Sequence, residues 1–263
     1  MKKTFLALFI CAAGMSSWAQ SSKWKIGLRF DPNITWYKPE KDITNTGAKM
    51  RFGFGLAIDK MFTDNYAIGT GFNVVRLGGG LKYLQETNGR DAGILNQDLA
   101  DTTFLIDKSR AYELQFFEVP LTLKLRTNEI GYITYWAQMG IGLGVRIKAT
   151  ADDQNEVLKQ KKGDTFVDDK TTKDGEVSDI NIKDNINALR LGFIVAGGIE
   201  YNLSGNTSIV AGVGCNNGLN NILKGEAVAD GGTGEPLVAN GSAEKFDLKA
   251  VSRVFSFTFG ILF

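Results

Sequence analysis

The chain has 263 residues, and its 30 Lys and Arg nearly balance its 29 Asp and Glu, for a formal net charge of +1. Without a basic excess, the composition argues against a nucleic-acid partner. Histidine is absent, which removes the commonest general base and the commonest metal ligand together. The chain is instead rich in glycine, with 31 residues, and in phenylalanine, with 17.

The N-terminal segment has the pattern of a secretory signal peptide. Lys2 and Lys3 form a basic start, residues 5–13 are apolar, and small side chains precede a cleavage point ahead of Gln20. We therefore predict a cleaved signal peptide over residues 1–19, and with it export from the cytoplasm.

After this segment, apolar residues recur at every second position, which is the period of a β-strand. The alternating segments are 24–30, 50–58, 66–74, 112–125, 133–147, 189–203, 209–213 and 251–263. Their second face is small and glycine-rich with isolated charges, which suits the crowded inside of a narrow barrel. In the fourth segment, apolar residues 112, 114 and 116 are out of phase with the rest, and this predicts a bulge near Phe117.

The predicted connections alternate in length. The long ones are residues 37–48, 78–111, 149–187 and 216–249, and the short ones are 63–65, 127–130 and 204–206. Bacterial outer-membrane barrels have long extracellular loops and short periplasmic turns. We therefore predict one all-β domain over residues 20–263. Its fold is an eight-stranded antiparallel up-and-down transmembrane β-barrel in the outer membrane, with the first strand paired to the last.

The chain ends in an aromatic strand whose last residue is Phe263. It resembles the insertion signal that the barrel-assembly machinery recognises in outer-membrane barrels. Together with the stretch Glu-Val-Pro-Leu-Thr-Leu-Lys at residues 118–124, the mature chain resembles the PorT-like outer-membrane β-barrel family of Bacteroidetes. The resemblance implies a barrel and, through the family's founding member, a link to type IX secretion and gliding.

Eight charged residues fall on inward-facing positions. They are Arg51, Arg146 and Arg190 near the outer mouth, Asp59, Lys124 and Glu200 near the periplasmic end, and Arg29 and Glu118 between them. Eight strands leave an interior just wide enough for side chains, and an unpaired buried charge is costly. We predict an ion-pair network that plugs the lumen. The alternative is an anion-attracting mouth.

Two further arginines, Arg76 and Arg253, fall on lipid-facing positions at the predicted outer rim. Arginine is tolerated at the membrane interface, where it can bind the phosphates of lipopolysaccharide or simply extend its charge into water. Aromatic residues should form girdles at both interfaces. The periplasmic set is Trp24, Tyr66, Tyr135 and Tyr201, and the outer set is Trp36, Tyr37 and Tyr112.

No serine or carboxylate pair has a spacing that supports catalysis, so we predict no enzyme, no catalytic residues and no cofactor. The acidic segment 149–187 is predicted to be a solvated loop. Calcium binding is the alternative there, although the ligand spacing of an EF-hand is missing.

The leading hypothesis is a structural or interaction barrel whose extracellular loops bind an unidentified partner. An accessory factor for protein secretion or surface assembly and a narrow pore are the alternatives. The expected partners are outer-membrane lipid, lipopolysaccharide and, during insertion, the barrel-assembly machinery.

Overall fold

The computed structural model describes residues 24–40, 42–91, 93–94, 97–99, 101–162, 165–168, 175–229, 238–239 and 242–263. The predicted signal peptide, residues 1–19, lies outside this part of the chain. In the part that is described, the only helical elements are two short 3₁₀ turns, Gln97–Leu99 and Lys183–Asn185. No helix there is long and apolar enough to cross a membrane.

The rest of the regular structure is β-strand. In chain order the strands are β1 (Trp24–Pro39), β2 (Thr44–Met61), β3 (Tyr66–Asn88), β4 (Thr103–Arg126), β5 (Ile133–Lys162), β6 (Thr165–Asp168), β7 (Gly175–Asn181), β8 (Leu189–Ser204), β9 (Thr207–Gly218), β10 (Glu226–Val228), β11 (Val238–Ala239), β12 (Ser242–Ala243), β13 (Lys245–Asp247) and β14 (Ala250–Leu262).

Eight of these strands form a closed antiparallel ring in the order β1, β2, β3, β4, β5, β8, β9 and β14. The ring closes where β14 pairs with β1, from Gly27–Leu262 to Pro39–Ala250. The last residue takes part, because Phe263 and Ile26 exchange two backbone hydrogen bonds of 2.8 and 3.2 Å. The predicted eight-stranded up-and-down barrel is confirmed. Closure also removes the unpaired edges that an open apolar sheet would expose.

The barrel wall is apolar on its outside. On β4, alternate residues Val119, Leu121, Leu123 and Leu125 are exposed, whereas the residues between them are buried. The other barrel strands repeat this pattern, and Trp24, Tyr66, Tyr135 and Tyr201 are exposed where the short turns lie. An outward apolar band with aromatic residues at its edge is typical of a transmembrane barrel. We call the end with the short turns and the chain termini the lower end.

The predicted long loops are partly wrong, because three barrel strands continue far above the band. β3 and β4 stay paired up to Asn88–Thr103, and β4 and β5 up to Phe104–Gln160. At the sides of this extension, β10 pairs with β3, β13 with β10, and β6 and β7 with β5. We call this extension the upper sheet. The apolar alternation missed it because several of its buried positions are polar, among them Lys108, Arg110 and Asp153, and because the consecutive residues 104–106 are all buried.

The predicted bulge near Phe117 is wrong for β4. Inward and outward positions alternate along this strand without a break, so Tyr112, Leu114 and Phe116 point inward like Glu118 below them. Tyr37 on β1 also points inward, and Tyr37 and Tyr112 are each 1% exposed. The prediction of an outer aromatic girdle is therefore wrong for both tyrosines.

The irregularity lies on β5, opposite the predicted position. Gln115 pairs with Lys148 and Phe116 pairs with Arg146, so Ile147 is an extra residue in the ladder. A bulge of this kind reverses the alternation of the strand that carries it. Ile147 and Lys148 are accordingly both exposed.

The inward apolar residues close the upper end of the lumen. We call them the mouth cluster, which comprises Tyr37, Leu77, Leu81, Tyr112, Leu114, Phe116, Ile182, Ile186, Ile222, Leu223, Leu248 and Val254, with further neighbours. Part of it comes from the segment after β9, which we had predicted as loop. There Asn221 accepts hydrogen bonds from the backbone N–H of Leu223 and Ala250, which hold the segment across the mouth.

Candidate functional site

Four strands meet across the middle of the lumen in what we call the middle layer. Arg190 on β8 is 1% exposed and donates to Glu118 on β4 at 2.7 Å, to Ser252 on β14 at 2.9 Å and to Asn216 on β9 at 2.9 Å. Asn216 in turn donates to Glu118 at 3.0 Å. Each charged group therefore has hydrogen-bonding partners as well as an opposite charge, as a buried ion pair requires.

Glycines on the intervening strand make room for this layer. Glu118, Gly144 and Arg190 lie side by side in register on β4, β5 and β8. A Cβ on Gly142 would come within 2.7 Å of the Glu118 carboxyl carbon. The glycine-rich inner face of β5 thus lets long side chains from both neighbours lie over it.

A second set of charges, the lower layer, fills the lumen near the short turns. Lys124 on β4 donates to Asp59 on β2 at 2.6 Å and lies 2.8 Å from Glu200 on β8. Lys25 on β1 lies 3.4 Å from Glu200, and Arg126 also donates to it. Asp59, Lys124 and Glu200 are at most 5% exposed. A space of about 90 Å³ remains between the lower and middle layers, room for only a few water molecules. A recess of about 350 Å³ opens below the lower layer, against Lys25, Arg126 and Glu200.

The remaining three predicted lumen residues have different positions. Arg29 pairs with Asp31 at 3.0 Å inside the barrel. Arg51 instead pairs with Glu113 at 2.6 Å, and the Glu113 side chain is 55% exposed. Arg146 donates to two backbone carbonyls at the 3₁₀ turn Lys183–Asn185. Arg51 and Arg146 are in register with the buried residues Asn33 and Phe116, but their partners lie at the upper end, so neither joins the predicted lumen network.

A third buried charge cluster lies in the upper sheet, and strand alternation did not predict it. Asp153 on β5 is fully buried and accepts from Arg110 at 2.6 and 2.7 Å, and Lys108 lies 3.0 Å from it. Burial lowers the pKa of Lys108 below its usual range, and the charge of Arg110 lowers it further, against the attraction of Asp153. The prediction that the acids of 149–187 are solvated is wrong for Asp153.

The calcium hypothesis falls partly on residues outside the described chain, 163–164 and 169–174. Among the residues that are described, no group of three or more carboxylate or thiol side chains could hold a metal ion. The free Cys215 is exposed on the outer surface of β9.

The two rim arginines are separated on the barrel surface. Arg76 is exposed on β3, in register with Gln115 on β4. Arg253 is half-buried on β14, in register with Trp36 on β1. They therefore do not form one site.

Residues 18–224 match the family model of the outer membrane protein beta-barrel domain. The chain belongs to this family. Its closed ring and outward apolar band accordingly place it in the outer membrane, with the short turns at the periplasmic end. No curated protein matches the sequence.

Several solved outer-membrane structures are similar to this chain. Neisserial surface protein A matches with 10% identity and a TM-score of 0.42, covering 92% of this chain and 96% of that one. The attachment invasion locus protein Ail of Yersinia pestis, in complex with a heparin analogue, matches with 13% identity and a TM-score of 0.34, covering 91% and 99%. OprG from Pseudomonas aeruginosa matches with 13% identity and a TM-score of 0.36, covering 93% and 98%.

Proposed function

We propose that the protein is a non-enzymatic, non-conducting outer-membrane barrel that acts as a structural or interaction protein through its extracellular upper sheet. One observation supports this most directly: the lumen is filled at three successive levels. The lower layer, the middle layer and the mouth cluster each join side chains from several strands. A permeating solute would have to displace buried ion pairs and then an apolar core, and both are costly.

The upper sheet supports the interaction role. In β3 it comprises residues 77–88, which at roughly 3.4 Å per residue span about 40 Å along the strand. Its outward positions carry mixed charges, among them Lys82 and Asp107, whose side chains are 2.8 Å apart. A stiff, charged projection of this size offers a binding surface that short loops do not.

The secretion role is the less supported alternative. It depends on the PorT-like stretch at residues 118–124 and on a Bacteroidetes source. Glu118 belongs to the middle layer and Lys124 to the lower layer. Packing inside the barrel thus accounts for the charged residues of the stretch, and nothing else in the described chain favours secretion.

Two measurements test the proposal. Purified protein reconstituted in a planar lipid bilayer should give no steady single-channel steps, and regular steps would contradict the filled lumen.

For the interaction role, residues 85–106 are replaced by a two-residue turn, which leaves the Leu84–Asp107 pair closed by a hairpin. Affinity purification from native membranes should recover a partner with the full chain and lose it with this variant. Identical recoveries would contradict the role of the upper sheet.

A further inference from the structure

The lipid-facing apolar surfaces of β3, β4 and β5 all end at the extracellular rim. Arg76 on β3 is in register with Gln115 on β4, which is in register with Lys148 on β5. Because neighbouring strands lie about 4.8 Å apart, the two cations start from backbone positions only about 10 Å from each other. The β5 bulge at Ile147 is what turns Lys148 outward, so the sequence alternation alone places only Arg76 here.

Neither cation has a carboxylate partner among the residues that the structure describes. Within the described part of the chain, no carboxylate lies within ion-pair distance of Arg76 or Lys148, and both side chains are exposed. Arg51, beside them, is already paired with Glu113 at 2.6 Å. Two uncompensated positive charges at a membrane interface favour an anionic lipid there.

A recess adjoins these cations. The pairing of β2 with β3 is interrupted between Ala48–Gly79 and Phe54–Val74. The recess there has a volume of about 330 Å³, and Met50, Phe52, Arg76 and Lys148 are among its lining residues. Met50 is 61% exposed and Phe52 is 47% exposed. Apolar surface and the two cations therefore line the same recess, together with the Arg51–Glu113 pair, in which the carboxylate is already neutralised.

We propose that this recess binds one phosphorylated glycolipid of the outer leaflet, lipopolysaccharide. Its phosphate lies between Arg76 and Lys148, and its acyl chains run along Met50 and Phe52. Guanidinium binds phosphate through two parallel hydrogen bonds, and the lysine adds a point charge. The apolar part of the recess is continuous with the lipid-facing wall, which favours a lipid over a soluble anion. Arg253 lies on another part of the rim and has no role in this site.

The test uses the purified full chain in a zwitterionic detergent, titrated with bisphosphorylated lipid A and followed by native mass spectrometry. The double variant Arg76→Gln, Lys148→Gln removes both cations. It should bind the lipid at least about tenfold more weakly, because two charge-assisted contacts are lost. Lys60→Gln is the matched control, since Lys60 is an exposed cation at the periplasmic end.

Two further arms identify the ligand. Dephosphorylated lipid A should bind the wild-type protein as weakly as lipid A binds the double variant, and millimolar inorganic phosphate should not displace the lipid. Equal lipid A affinity for the wild-type protein and the double variant would overturn the proposal. So would equal binding of dephosphorylated lipid, or displacement by phosphate, which would indicate a free-anion site. Unchanged heat-dependent migration on SDS gels verifies that the variants fold.

Discussion

The membrane barrel and the upper sheet share the strands β3, β4 and β5 but distribute their side chains in opposite ways. In the barrel, apolar residues face outward to lipid and charges such as Glu118 and Arg190 face inward. Above the rim, Tyr112 and Leu114 are buried inside, while Glu113 is exposed. The medium outside changes from lipid to water at the rim, and the apolar face changes with it.

This inversion takes place within one strand and without a change in side-chain direction. Phe116 and Phe117 are neighbours on β4, and their exposed fractions are 0% and 40%. One packs in the mouth cluster and the other meets lipid. The same residue type therefore has two different environments: Phe116 is enclosed by protein, whereas Phe117 stacks on Phe72 at 5.8 Å and otherwise faces lipid.

The largest expected effect is a difference in unfolding free energy between the alanine variants of these two phenylalanines. Phe116→Ala leaves a cavity in the mouth cluster and should lower the free energy of unfolding by about 3–5 kcal/mol. Phe117→Ala should cost less than half as much, because lipid chains fill the space that the ring leaves. Urea unfolding in lipid vesicles, followed by tryptophan fluorescence, measures both. Equal losses would show that the mouth cluster is not packed as a protein core.

The second effect concerns the middle layer. Glu118→Gln leaves the buried Arg190 without an opposite charge and should cost roughly 3 kcal/mol in the same assay. Glu113→Gln is the matched control, because it removes an exposed partner of Arg51 and should cost under about 1 kcal/mol. A small loss for both variants would mean that water reaches Arg190 and that the lumen is less filled than we propose.

The barrel was predictable because lipid outside and crowding inside impose opposite demands on alternate residues. The same contrast identified Asp59, Lys124 and Glu200, since a charge in a strand that faces lipid must point inward. Arg51 and Arg146 were misplaced for a local reason. Their partners are Glu113, across the interrupted β2–β3 pairing, and the carbonyls of Lys183 and Ile186, and strand alternation does not predict such contacts.

The upper sheet was not predictable by the same reasoning. Buried and exposed positions still alternate there, as on β5 from Ala151 to Val157, but several buried positions carry polar side chains, so the segment resembles a polar loop. Asp153 stands beside the exposed Asp152 in a run of polar residues, and nothing in their order distinguishes the buried acid from the solvated one. The partners Arg110 and Lys108 come from β4, and only the long β4–β5 pairing brings them to Asp153.

A third prediction tests whether the upper sheet unfolds separately from the barrel. Asp153→Asn weakens the bonds from Arg110 and should cost about 2 kcal/mol locally. Hydrogen exchange should rise in residues 103–114 and 149–160, while the unfolding of the barrel stays unchanged. Glu156→Gln, an exposed acid on the same strand, is the control. An equal loss in the barrel strands would show that both regions unfold as one unit.

The smallest expected effect is a pH dependence of the local stability of β10 and β13, at the side of the upper sheet. Glu86 on β3 lies 3.1 Å from Lys161 on β5 and 3.3 Å from Lys245 on β13. Each lysine is two strands away from β3 in the sheet. Burial raises the pKa of Glu86, but hydrogen bonds from the two lysines outweigh it and leave the pKa below its usual value of 4.5. The ionised form therefore stabilises the folded sheet. This contribution is complete above the unfolded pKa and is lost as the pH falls through the lower folded value.

We expect β10 and β13 to loosen below about pH 4.5 by less than about 1 kcal/mol, because the lysines are largely exposed. Hydrogen exchange of residues 226–228 and 245–247, corrected for the intrinsic pH dependence, measures this. Glu86→Gln should abolish the difference between pH 6 and pH 3.5, while the barrel strands exchange alike at both. If the variant still loosens on acidification, another carboxylate controls this part of the sheet, and the Glu86 pairs do not hold β13 in place.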